Sequence, residues 1–174
     1  MNDANILIDL VKLELLPHFF VLDLEFYTSD LILQELHHQQ LQQFQKYIDN
    51  NKLKVISFSA EELFTIGMLQ IEKPALSQQD CSAILSAQKV NGKLVTSDGN
   101  LRKFAGTKNI SVRGHLWVFD LMVKERVITG TIAIEKLNYL REVINPWLAL
   151  PKNECDIRID MWKETMICYK FDRG

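Results

Sequence analysis

Leu94-Val95-Thr96-Ser97-Asp98-Gly99-Asn100-Leu101-Arg102 joins a short apolar run to an acid and a turn. Lys93 to Thr96 is bounded by Asn91-Gly92 before it and Asp98-Gly99 after it. That is the pattern of a buried strand, and Gly99 to Ala105 follows as a short helix. Just upstream, Ser77-Gln78-Gln79-Asp80 has capping-box spacing and predicts a helix running to Val90. Helix, strand, acid and helix in that order point to a parallel sheet with its ligand site outside the strands' carboxyl ends.

The rest of the chain extends the pattern. Asn5 to Leu15 reads as a first helix ended near Pro17, and Phe26-Tyr27-Thr28 as a short extended piece. Ser29 or Asp30 caps a helix predicted to run to Asn50, with the polar segment His37 to Gln43 as its exposed face. Lys54 to Phe58 is a strand, and Ser59 with Glu62 opens another helix by capping-box spacing. Ile110 to Val112 is the last strand, and Gly114 leads into a helix through Val123. The fold class is therefore α/β, with a central parallel sheet covered by helices on both faces. Thr131 to Val143 and the stretch after Pro151 read as added helices. The expected division is a domain over 1–125 and a C-terminal helical extension over 126–174 packed on it.

Length and composition set the limits. A chain of 174 residues, 47% hydrophobic and 24% charged, is an ordinary globular domain with room for a core. Its net charge of −2 excludes nucleic-acid binding by bulk electrostatics, so an RNA partner requires local cations or a bound metal. Cys81, Cys155 and Cys168 form no CxxC pair, which argues for idle thiols in a reducing compartment and against a zinc site. No signal peptide is visible, and charges at Asp9, Lys12, Glu14, Asp23 and Glu25 keep the Ile6–Phe26 stretch from spanning a membrane. A cytoplasmic location is expected.

Four acids fall where such a sheet places its ligands: Asp3, Glu35, Asp80 and Asp98. Each also has an ordinary explanation. Asp3 can be an N-cap, Glu35 a solvated helical charge two turns into the second helix, Asp80 the N3 member of a capping box, and Asp98 a turn or cap residue. Taken together they repel, by roughly 1 kcal/mol per close pair in water and about 4 kcal/mol at an intermediate dielectric. A cation relieves that cost. Mg²⁺ takes one or two carboxylates plus waters, and the chemistry that follows is phosphodiester hydrolysis by an activated water.

In Asp3-Ala-Asn5-Ile-Leu-Ile-Asp-Leu, Ser29-Asp-Leu-Ile-Leu-Gln-Glu35-Leu, Leu76-Ser-Gln-Gln-Asp80-Cys-Ser-Ala-Ile and Leu94-Val-Thr96-Ser97-Asp98-Gly-Asn100-Leu-Arg, the chain resembles the PIN-domain family. The likeness is greatest to prokaryotic toxin-like (VapC-type) ribonucleases, over roughly the first 125 residues. It implies a PIN-like three-layer fold and Mg²⁺- or Mn²⁺-dependent endoribonuclease activity, with Asp3, Glu35, Asp80 and Asp98 around the metal. Asn5 and Thr96 match accompanying polar positions that orient an acid or a metal-bound water. Asn100 falls where some relatives carry a further acid. The resemblance also implies a toxin neutralised by a small cognate antitoxin. In the family an apolar strand precedes the first aspartate, whereas only Met1-Asn2 do so here. The first strand is thus expected to be largely missing, and a natural start upstream of Met1 is the expectation.

The remaining residues add less. His18, His37, His38 and His115 show no metal-ligand spacing, and Trp117, Phe119, Leu121 and Met122 read as core. Arg102 and Lys103, with Lys108 and Arg113, follow Asp98 and are candidate phosphate contacts. A phosphoreceiver domain is rejected, because Ser57-Phe58-Ser59 follows the third strand and no Lys closes the last. The alternative function is a PIN scaffold that binds RNA or a protein without cutting. Trp147, Pro151 and Trp162 in the extension can pack on the domain, form a homodimer face or receive an antitoxin.

Overall fold

β1 (Phe26–Ser29) runs parallel to β2 (Leu53–Ile56), with Phe26 opposite Leu53 and Ser29 opposite Ile56. β3 (Leu94–Val95) runs parallel to β4 (Val112–Arg113). The computed structural model describes residues 1–171, with side chains through 164, so the Cys168 thiol lies outside the described part. Met1–Asp3 joins the two ladders. Asn2 N donates to Tyr27 O at 2.8 Å, Val95 N to Met1 O at 2.8 Å, and Asp3 N to Val95 O at 3.1 Å. Asn2 forms a parallel bridge with Val95, and its Nδ2 also donates to Tyr27 O. The α/β arrangement with parallel strands matches the expectation, but three residues do the work of the largely missing first strand.

Helices surround this narrow sheet: α1 (Ala4–Lys12), α2 (Leu16–Phe19), α3 (Asp30–Leu33), α4 (His38–Asp49), α5 (Ala60–Glu72) and α6 (Gln78–Lys89). Then come α7 (Gly99–Thr107), α8 (His115–Lys124) and α9 (Gly130–Tyr139). A π-helical turn at Leu140–Ile144 and a 3₁₀ turn at Pro146–Leu148 lead to α10 (Lys152–Phe171). Ile6, Leu7, Phe19, Phe44, Ile84, Leu94 and Phe119 are fully buried in one core. Trp162 on α10 is buried with its ring 5.9 Å from that of Phe119, and Arg158 bonds both Asp120 and Glu154. Among the described residues no helix is long and apolar enough to cross a membrane. Cys81 and Cys155 are buried free thiols, and burial pushes the Cys81 thiol up to about 11.

The structure corrects three boundaries. The helix expected from Ser29 to Asn50 is two helices. Glu35 N and Leu36 N bond back three residues, to Ile32 O and Leu33 O, which closes the first. His37 is then extended, and its amide donates to Gln40 Oε1, which starts the second. Glu35 therefore sits in the turn between helices. Pro17 does not end a helix either. Glu14 at φ 59° breaks the chain, and Pro17 occupies the first turn of α2, where a missing N–H costs nothing. The last strand is Val112–Arg113, one to two residues later than predicted.

One polar contact ties β1 to α6. Ser29 Oγ accepts from Ile32 N, capping α3, and lies 2.8 Å from Ser82 Oγ in a buried position. Ser82 gives its own proton to Gln79 O, so Ser29 is the donor between the two hydroxyls. Ser29→Ala removes the cap and leaves one Ser82 lone pair unmet. It should cost about 1–2 kcal/mol, read as a lowered urea midpoint with an unchanged slope. A midpoint equal to the parent's would show that the pair does not fasten the two elements.

Candidate metal centre

Asp3 is the buried member of the acidic group, 4% exposed, at the end of the joining strip and one residue before α1. It occupies the N-cap position, yet its side chain makes no cap bond. Instead its Oδ2 accepts from Thr96 Oγ1 at 2.7 Å. The Thr96 hydroxyl in turn accepts from Asp98 N at 3.1 Å. Thr96 thus connects the end of β3 to the acid and fixes how the chain leaves the strand. Asp80 is half-buried in the first turn of α6, brought alongside by the Ser29–Ser82 contact. Glu35 is exposed in the α3–α4 turn.

Electrostatics shows which acids meet. Burial raises the Asp3 carboxyl to about 7, against the pull of the Thr96 hydroxyl, with further upward pushes from Asp80 and Glu35. Partial burial and then the Asp80 charge raise Glu35 as well. Asp3, Glu35 and Asp80 therefore act on one another. Asp98 does not join them in this way. It caps α7, with Oδ1 accepting from Leu101 N at 2.7 Å, and reaches Asp3 only through Thr96. Asp80 also plays a structural part, its Oδ2 accepting from Ser77 N at 2.8 Å in a complete capping box. Cap and ligand are compatible duties, since each carboxylate keeps a second oxygen without a partner among the described residues.

These residues suit a hard divalent cation. All the donors are carboxylate oxygens, Asp3 is held away from water, and no Lys or Arg among the described residues pairs with Asp3, Glu35 or Asp80. As placed, no three of the described His, Cys, Asp or Glu side chains close around one ion. A cation that keeps several waters and takes one or two carboxylates fits such an open arrangement; one needing a full protein cage does not.

The other expected residues divide. Asn5 is exposed in the first turn of α1, beside Asp3 in sequence. Arg102 is exposed, with Nη1 donating to Thr96 O at 2.9 Å, and Lys103 is exposed next to it. Lys108 is taken by Glu72. A polar chain that sequence reading missed runs behind the site. Asn145 Nδ2 donates to Asp9 Oδ2 at 3.1 Å, and that oxygen lies 3.1 Å from His115 Nε2. His115 Nδ1 is 2.8 Å from Ser97 Oγ. The Asp9–His115 approach has ion-pair length but lies off hydrogen-bond alignment. Asp9 and His115 stand 106 residues apart, so only the fold reveals the link.

The family model of the PIN domain matches residues 1–150 of the chain. A comparison with curated proteins finds no match.

The raised Asp3 carboxyl has a consequence for stability. An unfolded chain releases this proton near 3.8, and the folded one keeps it to about 7. Between those values the folded state binds more protons, so its stability falls as pH rises through the window and levels off above it. Each unit of such a shift is worth about 1.4 kcal/mol. Without divalent metal, the melting temperature of Asp3→Asn should fall less than the parent's between pH 4 and 7 and should exceed it at pH 8. Parallel curves would show that Asp3 is not held against its charge.

Proposed function

Since the chain belongs to the PIN-domain family, a nuclease-type fold, we propose that it is a metal-dependent endoribonuclease with Asp3, Glu35, Asp80 and Asp98 as its acids. The observation that carries this reading is Asp3: a buried carboxylate, bonded to Thr96, pushed upward by Asp80 and Glu35, with no cation among the described residues paired to it. Asp3 and Asp80 would hold Mg²⁺ or Mn²⁺, and Glu35 and Asp98 would hold its waters. When bound, the metal supplies a water of lowered pKa and positive charge for the scissile phosphate. Thr96 keeps Asp3 turned toward the ion. Asn5 presents an amide at the rim, and Arg102 and Lys103 meet phosphates of the RNA strand.

The toxin reading belongs to the same proposal: a cytoplasmic ribonuclease held inactive by a cognate antitoxin, in monomeric or homodimeric form. One observation favours a second reading, a PIN scaffold that binds without cutting. No three of the described His, Cys, Asp or Glu side chains close on one ion.

Two measurements separate the readings. Purified protein should cleave labelled structured RNA with Mg²⁺ or Mn²⁺ and not with EDTA, and Asp80→Asn should lower the rate by at least about 100-fold, in the range of a lost charge-stabilising group. The same ions should raise the melting temperature of the parent and not of Asp3→Asn. Cleavage that persists in EDTA would sink the metal mechanism, whereas a metal-dependent thermal shift without cleavage would select the scaffold.

A further inference from the structure

A cleft of about 510 Å³ opens between Ser97, just past the end of β3, the start of α8 and the Leu148–Leu150 segment. Three guanidinium groups line it, those of Arg102, Arg113 and Arg158, against two carboxylates. Arg158 takes both, with Nε on Asp120 at 2.8 Å and Nη1 on Glu154 at 2.7 Å. Among the described residues Arg102 and Arg113 face the cleft with only backbone carbonyls as partners, Thr96 O and Val112 O, each at 2.9 Å.

The cleft is built around Gly114. A Cβ there would lie 2.9 Å from Ser97 Oγ and 3.3 Å from Arg102 Nη1, so a side chain would displace the arginine from its seat on Thr96. Ser97 cannot yield easily, because it is bonded to His115. Gly114 is also the N-cap of α8, and because it has no side chain the first amide of that helix, His115 N, donates instead to Ser97 Oγ at 3.3 Å. Trp117 and the Leu148–Leu150 segment provide the apolar wall.

We propose that this cleft seats one nucleotide of a single-stranded nucleic acid, with its phosphate on Arg102 and Arg113 and its base against Trp117 and Leu148. Its volume lies in the range of small-molecule sites and suits one nucleotide, not a duplex. Two guanidinium groups without acid partners among the described residues select an anion, and planar guanidinium suits phosphate. Ser97 lines the cleft, and its chain neighbours Thr96 and Asp98 belong to the proposed metal centre, so the two sites are one residue apart along the chain. Leu148–Leu150 close the stretch that the family model matches, so the end of that stretch takes part in binding. The choice of nucleic acid as ligand rests on the nuclease reading; the site itself is tested without cleavage.

In EDTA, anisotropy of a fluorescein-labelled eight-nucleotide single-stranded RNA should show Arg113→Ala weakening binding by about tenfold, with the slope of log K against log salt reduced by about 0.7. Arg113→Lys should restore the slope. Lys124→Ala, at the exposed far end of α8, should match the parent, and all three variants should melt with it. Failure of the parent to bind, an Arg113→Ala affinity within twofold of it, or equal displacement of RNA by an acidic peptide would overturn the proposal. Arg113-dependent binding without metal-dependent cleavage would keep the cleft and sink the nuclease. Metal-dependent cleavage with Arg113-independent binding would do the reverse.

Discussion

Asn2 and Asp3 give their amides to strands on opposite sides, Asn2 to Tyr27 and Asp3 to Val95, and the site takes its register from that join. A parallel strand pair needs a third neighbour to satisfy its inner backbone groups, because an unmet buried donor or acceptor costs roughly 1–3 kcal/mol. The strip meets that need with three residues. It also ends at the carboxyl ends of β1 and β3, so the side chain of its last residue falls beside Thr96. The burial of Asp3 follows from where the sheet needs its amide.

That placement explains why two of the remaining acids serve twice. Asp80 completes the cap of α6 and Asp98 that of α7. A helix that starts just after a strand directs its N-terminal amides toward the sheet's carboxyl end, where an acid is favoured by the helix dipole. The fold can thus collect carboxylates at one edge while each retains a stabilising bond. The Asp3 side chain makes no such cap bond, and burial raises its carboxyl to about 7. Its tension is relieved by a proton or by a cation.

The sequence made a good part of this legible. Capping boxes at Ser59–Glu62 and Ser77–Asp80 were readable because the spacing is local, and both form as expected. The strand ending at Thr96 was readable from its apolar run and flanking turns. The break at Glu35–His37 was hidden because Leu36, Leu41, Phe44 and Tyr47 stay in helical phase across it. Only the capping bond from His37 to Gln40 marks the interruption, and it lacks the Ser or Thr that usually signals one. The contact of Asp9 with His115 was invisible for a different reason: nothing in a one-dimensional pattern pairs two buried polar residues that far apart. The cleft at Gly114 was hidden likewise, since it depends on how closely Ser97 and Arg102 approach a backbone without a Cβ.

The net charge of −2 is the last constraint, and the structure gives it a geometric answer. Long-range attraction to a polyanion is small for such a chain, and at physiological salt charges more than about 8 Å apart are screened from one another. Recognition must therefore depend on groups placed within a few ångströms of the strand. Many basic side chains are occupied: Lys54, Lys89, Lys108 and Arg158 each hold an acid. Arg102 and Arg113 hold only carbonyls, and both lie beside the end of β3. These two cations and the acids near Thr96 separate positive from negative charge over a short stretch of chain. On the proposed nucleic-acid reading, a strand would enter such a field in one orientation more readily than in the reverse, so the separation of charge across Thr96 would set polarity where total charge sets little.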